Sequence, residues 1–356
     1  MKKSKVWILP VLVLALIIGY YFFGFELMKR MHPNQVAESL PELSAGITRE
    51  IDAGKSSGTF YVSGISEEEI RAINDHIVSM NGDVDKYSIY EKTRGGMRVY
   101  FQYSISDNYY VCHKYLYDEE IPDDRLDAKA LYTELKKVLD DIIKPGMSDY
   151  DKELAIHDYI VKHTSYGYVD SSKEYAYRAY GVLVQGKAVC NGYAEAMAMM
   201  LTCSGVENRI ITGYADDELH AWNLVKLGEY WYQVDATWDD PQPDRENFAG
   251  HMYFNVTDDV MDDRHAWEKD DFPACTVLNE NYFTRNHLVM SYTEFRENAT
   301  TRFSRNVSEP AEYVLTDYEE SSYDLSFLYG IQGVSSISYT SEPYGSHTLL
   351  TIYLNK

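Results

Sequence analysis

Three residues that together could carry nucleophilic chemistry occur in order between positions 181 and 241: Cys190, His220 and Asp235. A cysteine supplies the attacking sulfur, an imidazole moves the proton, and a carboxylate fixes the imidazole tautomer and supports its charged form. Cys190 follows a short apolar run and a Gly-Lys turn, and it opens a helix-like stretch with Ala194, Met197, Ala198 and Leu201 on one face. Gly205 is placed to end that helix. A cysteine in the first turn of a helix faces orphan N–H groups and the positive end of the helix dipole, which favour an anion.

The elements that must position the other two are a pair of strands. Leu219–Val225 and Tyr230–Ala236 flank the turn Leu227-Gly228-Glu229. If Leu227 and Gly228 form the loop, His220 pairs directly with Asp235. If the loop is Gly228-Glu229, the two become diagonal neighbours on the same face. Directly opposed Cβ atoms stand about 5 Å apart, so either register serves. A three-residue loop would put them on opposite faces. Each residue alone has a plainer reading: a small buried cysteine, a strand histidine with its bonds satisfied, an aspartate capping a turn. It is the three together, on these elements, that point to catalysis.

The segments VCNGYAEAMAMML and HAWNLVKLGEYWYQVDATWDDP resemble the core of the transglutaminase-like superfamily of cysteine enzymes. The close match covers roughly a sixth of the chain. A looser one runs from YDKELAIHDYIVKHTSY (150–166) through HMYFNVTDDVM (251–261). The resemblance implies a papain-like α+β fold in which a helix bearing Cys190 packs on an antiparallel sheet bearing His220 and Asp235. It implies acyl transfer from a protein or peptide substrate, but not the acceptor: members include cross-linking acyltransferases, peptidases, peptide amidases and inactive scaffolds. Hydrolysis of peptide or isopeptide bonds is the first expectation, Gln–Lys cross-linking the second, and a catalytically silent binding module the alternative from another class.

Gln185 is a candidate oxyanion donor alongside the Cys190 backbone N–H, although papain-like enzymes place their glutamine slightly further upstream. Trp222 and Trp238 are candidate walls of a substrate cleft, against the ordinary role of strand aromatics in a core. His157 and His163 read as surface or packing residues. The triad demands no cofactor. The acidity leaves calcium open, while no EF-hand loop occurs, and the cysteines and histidines show no metal-finger spacing.

The chain has 356 residues, of which 45% are hydrophobic, enough for two or three packed domains. Val6–Phe25 is twenty residues without a charge, long enough to span a bilayer. Lys2, Lys3 and Lys5 precede it while Lys29 and Arg30 follow, so the positive-inside rule only mildly favours a body outside the cytoplasm. No small-x-small cleavage site follows, which favours an uncleaved anchor, with a cleaved signal peptide as runner-up. The first 25 residues contain three lysines and no acid, so the formal charge of −23 becomes −26 for the remainder. A body this acidic disfavours nucleic acid and anionic lipid headgroups as partners, and the plainer reading is that the acids solvate the surface. The resemblance implies a protein or peptide substrate, such as one of the cell envelope. Four cysteines argue against a disulfide framework, and the pairing of Cys112, Cys203 and Cys275 stays open.

The expected organisation is an anchor (1–25), a linker (26–57), a small α/β module (58–118), a transglutaminase-like central domain (119–286) and a second small α/β module (287–356). Ser66-x-x-Glu69 predicts a capping box opening a helix to about Met80. Gly95-Gly96 and Tyr344-Gly345 predict hairpins, and the two outer modules share a βαββ-like order. Leu126–Ile142 and a helix capped by Ser148 open the central domain.

Overall fold

The computed structural model describes residues 8–242, 245, 248–305, 310–317 and 324–355, and the chain divides into two units, Met1–Lys129 and Ala130–Lys356. In the first, α1 (Ile8–Met31), β1 (Val36–Ala37), α2 (Leu40–Asp52), β2 (Ser57–Val62), α3 (Glu67–Arg71), β3 (Gly82–Thr93), β4 (Gly96–Ile105) and α4 (Asp107–Tyr117) follow in order. The strands form a sheet in the order β1-β2-β4-β3. The expected anchor Val6–Phe25 lies partly outside the described residues, and its described part belongs to α1. Among the described residues no helix is long and apolar enough to cross a membrane.

Residues 26–57 are not a linker. Ser39 caps α2, Pro41 occupies its first turn, and Leu40, Leu43, Ile47 and Ile51 are buried along one stripe. The capping box at Ser66 and Glu69 is present, but its helix stops at Arg71 and a short 3-10 turn follows. Asn74 draws the chain away from the helix, because its side chain bonds both backbone groups of Val84 on β3, at 2.8 and 3.0 Å.

The second unit contains α5 (Leu126–Ile142), which begins in the first unit's range, then α6 (Asp149–His163), β5 (Ser165–Tyr166), β6 (Lys187–Ala188) and α7 (Cys190–Cys203). Next come β7 (Asn208–Ala215), β8 (Glu218–Leu227), β9 (Tyr230–Val234), β10 (Phe254–Val256), α8 (Asp258–Met261), β11 (His265–Ala266) and α9 (Tyr282–Arg285). The chain closes with β12 (Val289–Met290), α10 (Tyr292–Arg305), β13 (Ala311–Leu315), β14 (Ser336–Tyr344) and β15 (His347–Asn355). The central sheet is antiparallel, in the order β10-β9-β8-β7-β11. Helix α7 packs against β7, β8 and α6, and every residue of it except Thr202 is buried. It is therefore a core helix buried on nearly all sides rather than a surface helix with one apolar face. Gly205, at φ +78°, ends it: its N–H donates to the Thr202 carbonyl while Val206 N–H donates to that of Leu201.

The C-terminal sheet has the order β12-β13-β15-β14, the arrangement found in the first unit: a two-residue parallel edge strand, a helix, a central strand and a hairpin. Its core is continuous with that of the central sheet. Ile211, Trp222 and Leu224 belong to one buried cluster with Phe295, Phe303, Tyr313 and Leu350. Residues 287–356 thus belong to the same compact unit as the central domain.

Candidate active site

Cys190 is the first residue of α7, with Val189 as an N-cap that offers no side-chain bond and no acidic residue in the first turn. No acidic side chain of that first turn competes for the N–H groups at the helix start. The Cys190 Sγ lies 3.7 Å from Asn191 Oδ1. The 181–185 segment preceding it is a π-helical turn with Gly181, Val182 and Leu183 buried, and the Val189 N–H is tied to the Ala176 carbonyl at 3.0 Å. Within α7, buried Glu195 accepts from Arg178 Nη1 (3.0 Å) and from the Ala179 N–H (3.2 Å), fixing the neighbouring chain to the helix that carries the sulfur.

His220 and Asp235 meet through the hairpin of β8 and β9. Leu227 pairs with Tyr230 and Asn223 with Val234, so the loop is Gly228-Glu229, with Gly228 at φ +61°. This is the register that makes His220 and Asp235 diagonal neighbours, and His220 Nε2 stands 2.7 Å from Asp235 Oδ2. Asp235 is fully buried and completely bonded. Oδ1 accepts from the backbone N–H of Thr237 (3.0 Å) and Trp238 (3.2 Å), and Oδ2 meets His265 Nε2 at 3.0 Å as well as His220.

Burial works against a charge on either partner, but each stabilises the other. Burial opposes the imidazolium of His220, yet the Asp235 carboxylate outweighs it, the Cys190 sulfur adds to it, and the His220 pKa is pushed up to about 10. Burial likewise opposes the Asp235 carboxylate, and the two imidazoles hold it well below the usual carboxylate range. With Nε2 on the carboxylate, the other ring nitrogen of His220 is the one left for the sulfur. A charged imidazole beside a cysteine sulfur can stabilise a thiolate and deliver a proton to a leaving group, and the neutral ring that remains can then take one from water.

The other candidates fall elsewhere. Gln185 directs its Nε2 to Ser172 Oγ at 3.0 Å, so its amide is engaged within its own neighbourhood. Trp222 is 1% exposed and donates from Nε1 to Gln233 Oε1 at 2.7 Å; it lines core, not cleft, and stacks on the His220 ring from within. Trp238 is only partly buried, with its ring 4.5 Å from that of His265 and the Arg264 guanidinium 4.2 Å above it. His163 is exposed and stacks on Tyr159. His157 is not a surface or simple packing residue: it is wholly buried between Asp239 and Asp158.

Sequence reasoning missed His265 and His251. His265 sits on the two-residue strand β11, which has no periodicity to announce it, and its partner is 30 positions away. His251 begins the HMYFN stretch, but Glu312, to which it bonds at 2.8 Å, lies 61 positions on. Among the described residues two groups bring histidine and carboxylate atoms close enough to hold a metal ion, His220–Asp235–His265 and His157–Asp158–His251.

Residues 136–236 match the family model of the transglutaminase-like superfamily. That segment contains Cys190, His220 and Asp235. The mouse kyphoscoliosis peptidase is 28% identical over 134 residues, which cover 32% of this chain and 20% of that protein. Its human counterpart is 27% identical over 133 residues, with the same coverage. The chain thus spans about a fifth of the length of the curated relatives it matches. Among solved structures, one described as a TGase is 15% identical, with 57% of this chain and 59% of that chain covered and a TM-score of 0.27. The periplasmic domain of TgpA from Pseudomonas aeruginosa is 16% identical, covering 43% and 63%, with a TM-score of 0.24. Neither of these two likenesses bears on the chemistry.

Proposed function

From the transglutaminase-like domain that residues 136–236 form, we propose that the protein is a cysteine acyl-transfer enzyme that hydrolyses peptide or isopeptide bonds. The observation that carries this reading is the buried 2.7 Å contact of His220 with Asp235, whose carboxylate favours the charged imidazole, an effect to which the sulfur at the start of α7 adds. The Cys190 thiolate attacks the amide carbonyl carbon. As the C–N bond breaks, His220 gives its proton to the departing amine and a thioester remains. Water then adds to the thioester, His220 takes its proton, and the acid leaves with the thiolate restored. The Cys190 backbone N–H, at the first position of α7, is the donor best placed for the oxyanion. An amine in place of water would give Gln–Lys cross-linking by the same intermediate.

Val6–Phe25, uncharged throughout, supports a body held outside the cytoplasm by an N-terminal anchor, with a cell-envelope protein or peptide as substrate. Protection of an N-terminal tag from external protease in whole cells, with digestion of the body, tests that arrangement. Loss of both would defeat it.

The burial of the cysteines gives a clean test of the chemistry. Cys190, Cys112 and Cys203 are 8%, 8% and 7% exposed, so exposure alone predicts equal alkylation. Iodoacetamide at neutral pH, with sites mapped by mass spectrometry, is expected to modify Cys190 at least about tenfold faster than the other two, since a thiolate and not a thiol is the nucleophile. A His220→Ala variant is expected to lose that advantage. Equal rates in the parent would remove the enzyme reading and leave a silent binding module, which the low exposure of Cys190 would also suit.

A further inference from the structure

The second histidine–carboxylate cluster has no part in acyl transfer, yet it is built with the same care. His157 and Asp158 come from α6, and His251 from the segment before β10. His157 Nδ1 is 3.4 Å and His251 Nε2 is 3.0 Å from one oxygen, Asp158 Oδ1. The opposite nitrogens are held by further carboxylates: His157 Nε2 by Asp239 Oδ2 at 3.1 Å, and His251 Nδ1 by Glu312 Oε2 at 2.8 Å. Those carboxylates are themselves anchored, Asp239 Oδ1 by the Tyr253 N–H (2.8 Å) and Glu312 Oε1 by the His251 N–H (3.2 Å). The His251 ring lies flat on Tyr282, with centroids 3.6 Å apart and planes 4° apart. Both rings are thus fixed in orientation, each with one nitrogen aimed at a common point.

This is the pattern of a metal site with its outer partners in place. Histidine ligands characteristically pass their second N–H to a carboxylate, which orients the ring and strengthens the donor. Tetrahedral zinc with bonds of about 2.0–2.1 Å sets its ligand atoms about 3.3 Å apart. The two distances to Asp158 Oδ1 bracket that value, and all three candidate atoms lie within 4.8 Å of one another. Lys162 Nζ holds the other Asp158 oxygen at 2.7 Å, leaving Oδ1 as a single donor. Asp158 also lines a shallow depression of about 580 Å³ with Met147, Asp151 and Leu154, so one member of the cluster borders solvent.

We propose that His157 Nδ1, Asp158 Oδ1 and His251 Nε2 bind a divalent transition-metal ion of the zinc class, with water completing the shell. Two imidazoles and one carboxylate suit such an ion, whereas calcium and magnesium demand oxygen donors. Ligation requires both imidazoles to be neutral at the metal-facing nitrogen, so binding expels any proton there into solvent. The ion would join α6 to the segment before β10 and, through Glu312, to β13.

The test is a cobalt titration of the full chain after chelator treatment. One equivalent of Co²⁺ is expected to produce the visible absorption of a four-coordinate N,O site, and one equivalent of Zn²⁺ to bleach it. Asp158→Asn and His251→Gln are each expected to abolish the band. Glu312→Gln is expected to weaken binding about 10–100-fold, the usual cost of losing an outer partner. Asp158 is 26% exposed in its side chain, so its variant is expected to fold, and circular dichroism verifies each variant. Cys190→Ala and His265→Gln are expected to bind as the parent does. The proposal is overturned by absence of a stoichiometric band, by a parent-like spectrum in folded Asp158→Asn, or by loss confined to His265→Gln, which would put the ion at Asp235.

Discussion

His265 reaches the same carboxylate oxygen of Asp235 that holds His220, at 3.0 Å against 2.7 Å. One oxygen therefore lies between two imidazoles, and the second fixes the direction of the first. His265→Phe keeps a ring beside Trp238 and removes the donor. It is expected to lower kcat about tenfold, the worth of one hydrogen bond, with little change in KM. His265→Gln, which restores an N–H, is expected to recover part of the loss. Steady-state kinetics with both variants on any confirmed substrate decide it, and equal losses in kcat and affinity would mean a merely structural role.

Asp235→Asn removes the charge that outweighs burial of the imidazolium. The pKa of His220 stands at about 10 with the carboxylate present, and is expected to fall below its ordinary value without it. Activity at neutral pH should drop about 10²–10⁴-fold, and the alkaline limb of the kcat/KM profile should move toward acid. The sign for stability follows from the raised pKa. The pair's contribution through His220 is complete below about pH 6.5 and is lost as pH rises through about 10. A pH series of urea denaturation should show that alkaline decline in the parent and not in the variant.

Glu153 on α6 offers a second pH signature, of the opposite chemical kind. It is wholly buried, accepts from Asn255 Nδ2 at 2.9 Å through one oxygen, and among the described residues has no hydrogen-bond partner for the other. Burial dominates, partly offset by Asn255, and pushes its pKa up to about 8. A raised carboxyl favours folding only while it is protonated, so stability is full below its ordinary pKa and declines as pH climbs through about 8. Glu153→Gln is expected to match the parent near pH 4 and to exceed it at pH 8.5 by up to a few kcal/mol, at about 1.4 kcal/mol per unit. Melting curves at the two pH values check this, and a parallel pair of curves would contradict it.

Trp222→Ala is expected to act on folding rather than on substrate choice. The indole is fully enclosed and its N–H satisfies Gln233, so truncation leaves a cavity and an unpaired buried amide oxygen. Losses of about 3–5 kcal/mol are typical for such a change. Denaturant unfolding measures it; an unchanged midpoint with altered substrate preference would return Trp222 to the cleft.

What the sequence displayed was local. The Gly228 turn, the capping residue Ser148 and the helix starting at Cys190 are signals carried by neighbours, and the structure contains each of them. The hairpin register was narrowed to two choices that both kept His220 and Asp235 on one face, because strand side chains alternate with period two. The failures were those of distance or dilution. His265 and His251 acquire meaning only from Asp235 and Glu312, far along the chain. Helix α2 was obscured because its apolar stripe is threaded with Pro41, Ser44 and Gly46, although Ser39 and Pro41 at its start were the readable cues. Trp222 was ambiguous in principle, since an aromatic on a strand can face a cleft or a core with the same alternation.

The single buried cluster that runs from Trp222 and Leu224 to Phe295, Tyr313 and Leu350 has a genetic consequence. A premature stop codon after Asn286 would spare Cys190, His220 and Asp235, yet it would strip one side from the sheet that holds two of them. Such an allele would behave as a null, its product cleared for misfolding rather than tolerated as a shortened enzyme. Screens that score damage by proximity to the sulfur would overlook it.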